Sequence, residues 1–176
     1  MSEMKELVPM TIEEFETIIK DERLCYELID GIVAMSPSPS FQHQAIGSRV
    51  VANASIQLKG VCTAVYEYDM KVDKYNVYRP DVAIYCKGKE EIPEIVFEIL
   101  SASTKQRDLM VKPARYNVAG VKEYWIIDPE SHTVIVHTFA VDDTDEINIY
   151  NANAIIRSKV IPEFVVKASE LFEENA

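Results

Sequence analysis

Two acidic residues in apolar segments of this chain are the residues best suited to chemistry. Asp81 begins the run Asp-Val-Ala-Ile-Tyr at positions 81–85, and Glu98 lies within Ile-Val-Phe-Glu-Ile-Leu at positions 95–100. An ionised carboxylate among apolar neighbours is costly unless an opposite charge, a metal or strong hydrogen bonds compensate it. Two such acids on neighbouring strands suit a divalent cation that prefers oxygen ligands, Mg²⁺ or Mn²⁺.

A lysine near such a pair adds a further chemical capability. Lys112 follows the second apolar segment and could orient a water molecule or neutralise charge on an attacked phosphate. The pairing register of the two strands decides whether the acids share a face, and the sequence leaves that open. Structural roles are the alternative: Asp81 would bond to backbone at a strand entrance, and Glu98 with Lys112 would form a buried ion pair.

The charge distribution favours a local phosphate site over a generally cationic surface. The 176-residue chain has a net charge of −11 and is 48% hydrophobic, which excludes disordered and collagen-like classes. A negative surface repels polyanions, but residues 101–122 contain only one acid, Asp108, among five basic residues: Lys105, Arg107, Lys112, Arg115 and Lys122. The alternative is that these are ordinary solvated residues and counter-charges for the acids.

The sequence also gives expectations for the cellular location of the protein and for the oxidation state of its cysteines. It has no long apolar run of the kind found in a signal peptide or a membrane span, so we expect a soluble, cytoplasmic protein without a membrane partner. Cys25, Cys62 and Cys86 are odd in number and far apart. We therefore expect reduced, mostly buried thiols and no disulfide.

The first third of the chain predicts two helices around a hairpin. Thr11 and Glu14 have capping-box spacing for a helix to about Lys20. Asp30-Gly31 predicts a tight turn between strands within residues 26–35, because this dipeptide readily adopts positive φ. A stripe of apolar residues at four-residue spacing predicts a core-facing helix from Phe41 to about Lys59.

The remainder predicts strands around one helical segment. Alternating residues predict a half-buried strand over 62–72, and more uniformly apolar runs predict central strands at 79–86 and 94–101. A helical segment ends at Ala119 with Gly120 as its cap, and Pro113 predicts a kink or late start. A hairpin turning at 128–131, a weak strand at 147–150 and a short helix after Lys167 complete the pattern.

Ordered motifs over residues 10–170 resemble the Uma-type family of putative restriction endonucleases, within the PD-(D/E)XK nuclease superfamily. The matching segments are Tyr-Glu-Leu-Ile-Asp-Gly (26–31), Met-Ser-Pro-Ser-Pro (35–39), His-Gln (43–44), Arg-Pro-Asp-Val-Ala (79–83), Phe-Glu-Ile-Leu-Ser (97–101), Ser103-Thr104, Asp108, Lys112, Tyr116 and Gly-Val-Lys-Glu-Tyr-Trp-Ile-Ile-Asp-Pro (120–129). The resemblance implies a single α/β domain over 1–176, with a restriction-endonuclease-like mixed central sheet flanked by helices and an N-terminal helix and β-hairpin addition.

The resemblance also implies site residues. Asp81 and Glu98 become metal ligands for Mg²⁺ or Mn²⁺, Ile99 a backbone-carbonyl ligand, and Glu27 an additional acid, which could equally be a solvated or hairpin-bonded residue. One departure stands out: Leu100 occupies the position where the superfamily motif has lysine. Lys112 is the position that the family's own pattern suggests as a migrated replacement.

The expected activity is metal-dependent endonucleolytic hydrolysis of phosphodiester bonds in nucleic acid, with DNA as the expected polymer. Predicted nucleic-acid contacts come from one histidine and four basic residues: His43, Arg79, Lys105, Arg107 and Arg115. By analogy, a homodimer would allow both strands of a duplex to be cut. The alternative is a catalytically inactive nuclease-like module that binds nucleic acid or protein, favoured by Leu100 and by the acidic net charge.

Overall fold

The computed structural model describes residues 8–86, 91–139 and 145–173. In chain order its elements are α1 Ile12–Thr17, β1 Leu24–Ile29, β2 Ile32–Pro37, α2 Phe41–Gln57, β3 Cys62–Tyr66, β4 Met70–Asp73, β5 Asn76–Tyr78, β6 Val82–Cys86, β7 Ile95–Ile99, α3 Lys105–Met110, α4 Lys112–Ala119, β8 Glu123–Asp128, β9 Thr133–Thr138, β10 Glu146–Asn151, β11 Ile155–Arg157, β12 Val165–Lys167 and α5 Ala168–Phe172. Within these ranges, no helix is long and apolar enough to span a membrane.

The described residues form two compact units. Of these residues, the first unit holds 8–38 and Asp69–Arg79, and the second holds Pro39–Tyr68 together with 80–86, 91–139 and 145–173. That the whole chain acts as one domain stays a prediction.

The first unit is an antiparallel four-stranded sheet with one short helix. Its strand order is β2-β1-β5-β4. The capping box predicted at Thr11 is present, because its hydroxyl accepts from the Glu14 N–H and the Glu14 carboxylate accepts from the Thr11 N–H. Asp30 and Gly31 have φ of 51° and 73°, as the predicted tight turn requires. The helix ends at Thr17, earlier than the predicted Lys20, because Ile18 is already extended.

The second unit contains the mixed central sheet that the resemblance implies. Its strand order is β10-β9-β8-β7-β6-β3. Strands β7 and β8 are parallel and the other neighbours are antiparallel, with α3 and α4 in the connection between β7 and β8. One face packs in a core with α2, α5 and the β11–β12 pair, including Ile46, Val50, Phe97, Trp125, Phe164 and Val166. On the opposite face, the ring of Tyr116 from α4 lies 5.1 Å from that of Tyr124.

The predicted strand over residues 62–72 is wrong. The chain forms β3 up to Tyr66, turns at Glu67, where φ is +48°, and continues as β4 in the other sheet. The alternation of apolar and polar residues that predicted one strand continues on both sides of the turn, so the sequence pattern does not reveal the break. A glycine would have indicated a turn at this position, but left-handed backbone at a non-glycine residue such as Glu67 cannot be recognised from the sequence.

The expectation of three reduced, mostly buried cysteines is also wrong. Cys62 and Cys86 are directly opposed on β3 and β6, and their sulfur atoms form a disulfide. Cys25 is not part of a disulfide, and all three residues are partly exposed. The 24-residue separation of the bonded pair gives no hint of this contact, because it depends on a strand pairing that spacing alone does not reveal.

Candidate active site

The register between β6 and β7, extended one step beyond the paired residues, brings Asp81 across from Glu98 at the ends of the two strands. Val82 is opposite Phe97 and Ala83 is opposite Val96, so one further step brings Asp81 opposite Glu98. The backbone N–H of Ile99 donates to Asp81 Oδ2 at 2.6 Å, which fixes the carboxylate just before β6 begins. The structure thus brings the two acids to neighbouring strand ends, with Asp81 bonded to the residue that follows Glu98.

Glu98 is buried and receives two strong hydrogen bonds at one oxygen. Lys112 Nζ lies 2.7 Å from Glu98 Oε1, and Tyr116 Oη donates to the same oxygen at 2.6 Å. The side chains of Glu98 and Lys112 are each only 4% exposed. The ion pair considered from the sequence is thus present and almost fully removed from solvent.

A break in the helical segment delivers Lys112 to this position. Helix α3 ends at Met110 and α4 starts at Lys112, as the kink or late start predicted from Pro113 requires. Proline is tolerated in the first turn because its missing N–H has no partner there. Gly120 ends α4 with φ of +93°, the predicted left-handed cap. Lys112 and Tyr116, one turn apart, therefore point to the same carboxylate.

Asp108 is a member of this cluster to which the sequence assigned no role. It is 1% exposed, and its Oδ1 lies 3.4 Å from Lys112 Nζ. Burial raises the pKa of Asp108 and the negative charge of Asp81 adds to the rise, while the Lys112 ammonium, the Thr104 side chain and the charge of Arg107 oppose it. One signal was available: Asp108, Lys112 and Tyr116 recur at four-residue spacing, which puts them on one side of a helical segment.

His43 contacts the other acid of the pair. It lies in the first turn of α2, where its N–H donates to the capping Ser40 hydroxyl, and its Nε2 is 3.0 Å from Asp81 Oδ2. Burial disfavours the imidazolium, but the hydrogen bond and charge of Asp81 outweigh burial and raise the pKa of His43. His43 was predicted to contact nucleic acid; that role stays a prediction, and the structure adds its contact with Asp81.

Glu27 and Arg79 belong to the first unit, where both are engaged. The backbone N–H of Arg79 donates to Glu27 Oε1 at 3.1 Å, and Glu27 is 5% exposed, which excludes the solvated alternative. The Arg79 guanidinium forms a two-bond pair with Asp69, at 2.6 and 3.0 Å. Their predicted roles, as site acid and as nucleic-acid contact, stay predictions.

The remaining predicted contacts all lie on the two helices that carry Asp108 and Lys112. Lys105 bonds to Asp128 Oδ2 at 3.2 Å and keeps 44% of its side chain exposed. Arg107 and Arg115 are partly exposed. Three basic side chains therefore lie on the segment that supplies the buried ammonium, and their contact with phosphate stays a prediction.

The oxygen donors fit a hard cation that keeps much of its water. Across residues 8–86, 91–139 and 145–173 there is no group of three His, Cys, Asp or Glu side chains arranged to hold a metal ion. Mg²⁺ needs no such cage, because it is usually bound by one or two carboxylates together with water and substrate phosphates. Asp81, Glu98 and the Ile99 carbonyl are oxygen donors of this kind at the ends of the two neighbouring strands β6 and β7.

The six-stranded mixed sheet, with one parallel strand pair and helices on both faces, has the restriction-endonuclease-like fold. A crystal structure described as a putative nuclease belonging to DUF820, from Anabaena variabilis, has the same fold, with a TM-score of 0.79 over 93% of this chain and 98% of that chain at 22% identity. The profile of the Uma2 family, described as putative restriction endonucleases, matches residues 12–169, and the chain belongs to that family. Comparison with curated proteins finds no match.

Proposed function

We propose that this protein is a divalent-metal-dependent endonuclease that hydrolyses phosphodiester bonds in DNA. The observation that carries the proposal is that Asp81 accepts a hydrogen bond from the backbone N–H of Ile99 at 2.6 Å, directly beside Glu98, with the Lys112 ammonium 2.7 Å from Glu98. Membership of the Uma2 family supports it independently. We also propose that the enzyme acts in the cytoplasm and that two copies act together on duplex DNA.

Asp81, Glu98 and the carbonyl of Ile99 would hold Mg²⁺ or Mn²⁺. A bound ion of this kind lowers the pKa of a coordinated water and withdraws charge from a phosphoryl oxygen. Asp81 is prepared for such a role, because the Ile99 N–H and the His43 imidazole both bond to its Oδ2 and thereby fix the carboxylate. Glu27 is proposed as an additional acid.

Lys112 supplies the positive charge that the superfamily motif places two residues after the second acid. An ammonium held in a nearly water-free environment stabilises negative charge on a phosphate more strongly than the same group in water. The side chains of Arg79, Lys105, Arg107, Arg115 and His43 would bind neighbouring phosphates. Such contacts are local, which reconciles nucleic-acid binding with a net charge of −11.

Titration with Mn²⁺ by calorimetry tests the metal site without knowledge of the substrate sequence. We expect the wild type to bind Mn²⁺, and Asp81→Ala and Glu98→Ala to lose binding while remaining folded by circular dichroism. Glu123→Gln changes another buried carboxylate of the same sheet and should bind as the wild type does. Cleavage of plasmid and linear DNA in Mg²⁺ then tests the reaction. Wild-type Mn²⁺ binding that survives both alanine variants would refute the ligand assignment.

The second candidate function is a catalytically inactive module that binds nucleic acid or protein. Two observations favour it. Leu100 stands at the position of the motif lysine, and the Glu98–Lys112 pair is almost fully buried, as expected of a structural ion pair. Binding of DNA without cleavage in Mg²⁺ or Mn²⁺, by a preparation that also fails to bind Mn²⁺, would favour this candidate over the enzyme.

A further inference from the structure

Two buried carboxylates share the single ammonium of Lys112. Its Nζ is 2.7 Å from Glu98 Oε1 and 3.4 Å from Asp108 Oδ1, and all three side chains are at most 4% exposed. The shorter contact is a hydrogen bond, whereas the longer one is an ion pair without a hydrogen bond at that oxygen. Asp108 is thus a second, incompletely used partner for the same charge.

Metal binding at Glu98 would change this balance. A divalent cation on the Glu98 carboxylate repels an ammonium bonded to the same group. The Lys112 side chain is too buried to regain its hydration, so it needs another anionic partner to remain charged. Asp108 is such a partner, one helical turn before Lys112 in sequence.

We infer that Asp108 is a positioning residue that takes over the Lys112 ammonium when a divalent cation binds Glu98. This inference rests on the proposed function. Asp108 is held for the exchange at its backbone, because Tyr124 Oη donates to its carbonyl oxygen at 3.0 Å. The raised pKa of Asp108 agrees with an incompletely compensated carboxylate, whose ionised form gains most from a closer ammonium.

A double-mutant cycle on Mn²⁺ affinity separates this role from a general effect of charge. Calorimetry compares the wild type, Asp108→Asn, Lys112→Met and the double variant, with folding checked by thermal melting. With Lys112 present, Asp108→Asn should weaken Mn²⁺ binding about tenfold, a typical coupling between residues in contact. With methionine at 112, the same change should cost less than about twofold, since no ammonium then competes for Glu98. Glu123→Gln is the matched control and should leave the affinity unchanged.

The outcomes distinguish the inference from the proposed function. An equal loss of Mn²⁺ affinity with lysine and with methionine at position 112 would mean that Asp108 acts only through its long-range charge. No loss of affinity in either background would mean that Asp108 has no effect on metal binding. Either result overturns the inference and leaves the proposed function intact. Failure of the wild type to bind Mn²⁺ overturns the metal site and the inference together. A structural role alone would lower the melting temperature of Asp108→Asn without this dependence on Lys112.

A measurement on the wild type covers the case in which Lys112→Met does not fold. Crystals grown with and without millimolar Mg²⁺ should differ in the partner of Lys112. We expect its Nζ within hydrogen-bond distance of Asp108 and detached from Glu98 when the metal is bound. An ammonium that stays on Glu98 Oε1 beside a bound Mg²⁺ would overturn the inference.

Discussion

Two buried carboxylates of the six-stranded sheet, Glu98 and Glu123, are held in different ways. Glu123 is fully buried at the start of β8 and accepts from the Trp125 indole N–H at 3.0 Å and from the backbone N–H of Lys159 at 2.7 Å. Glu98 accepts from an ammonium and a phenol, both carried by α4. One acid is therefore fixed by donors built into the core, whereas the other is held by side chains from a separate helix.

The difference indicates which acid is available for exchange. The donors to Glu123 are a backbone amide and an indole packed 5.3 Å from the ring of Phe97, so replacing them means disrupting the core. The Lys112 side chain reaches Glu98 along a flexible stem and has a second acid beside it. Under the proposed function Glu98 binds and releases a cation, and side-chain donors from a helix can exchange with that cation without disrupting the core.

The comparison of Glu98 with Glu123 predicts its largest effect for Lys112, whose removal should lower the stability of the protein. Lys112→Met leaves Glu98 and Asp108 buried without their ammonium, and breaking a buried pair in this way costs about 3–5 kcal/mol. Urea denaturation of the metal-free protein measures the loss. Adding Glu98→Gln to Lys112→Met should recover part of it, because one uncompensated charge is then gone. A loss below about 1 kcal/mol, the value of a surface pair, would contradict the burial described for the pair.

Next in size is the effect of Glu98→Gln on cleavage. Loss of one carboxylate ligand should lower the rate at least about a hundredfold, as removal of one preorganised electrostatic group commonly does. The rate is measured on DNA in Mg²⁺ under single-turnover conditions. Glu123→Gln is the isosteric counterpart and should cleave at the wild-type rate while it remains folded. Wild-type cleavage by Glu98→Gln would place the chemistry elsewhere.

Glu123→Gln should instead lower the stability of the protein. Each carboxylate oxygen of Glu123 accepts one N–H, and a glutamine amide can serve only one of those two donors. We expect a loss of about 1–3 kcal/mol in the free energy of unfolding, the cost of an unpaired buried donor. The measurement is urea denaturation at neutral pH. If stability is unchanged, the two hydrogen bonds do not hold the acid in solution as described.

The smallest effect concerns Asp128, at the opposite end of β8 from Glu123. Burial disfavours its ionised form, but hydrogen bonds from the Glu130 N–H, Lys105 and Ser131 outweigh burial and lower the pKa of Asp128. A lowered pKa stabilises the fold above the ordinary value of 3.8, and this contribution is lost as the pH falls through the folded-state pKa. Asp128→Asn should therefore be less stable than the wild type by about 1 kcal/mol at pH 6, and the gap should close in strong acid. A gap that stays constant down to pH 2 would show that ionisation of Asp128 is not its source.

Local sequence chemistry predicted much of the fold. The Thr11 capping box, the Asp30-Gly31 turn, the helix from Phe41 and the Gly120 cap all depend on residues close together in the chain, and all are present. The helix break at Pro113 follows from the missing proline N–H in the same way. These features could be predicted because neighbouring residues alone determine them.

Features that depend on strand pairing could not be predicted. The opposition of Asp81 to Glu98 needs the β6–β7 register, and the Cys62–Cys86 disulfide needs that of β3 and β6. The turn at Glu67, which sends β4 into another sheet, interrupts a pattern that is continuous in sequence. Asp108 can be recognised as a site residue only from its four-residue spacing to Lys112 and Tyr116, because a single acid in a basic segment is otherwise interpreted as a counter-charge.

Lys112 reaches Glu98 from a position fourteen residues further along the chain. A pattern search that requires lysine two residues after the strand acid therefore passes over this chain, although the ammonium is present in space. A search by geometry, for a basic nitrogen within hydrogen-bond distance of the acid that ends a central strand, would find it. Under the proposed function Lys112 supplies the charge of the motif lysine, and the position two residues after Glu98 can then be apolar, as Leu100 is.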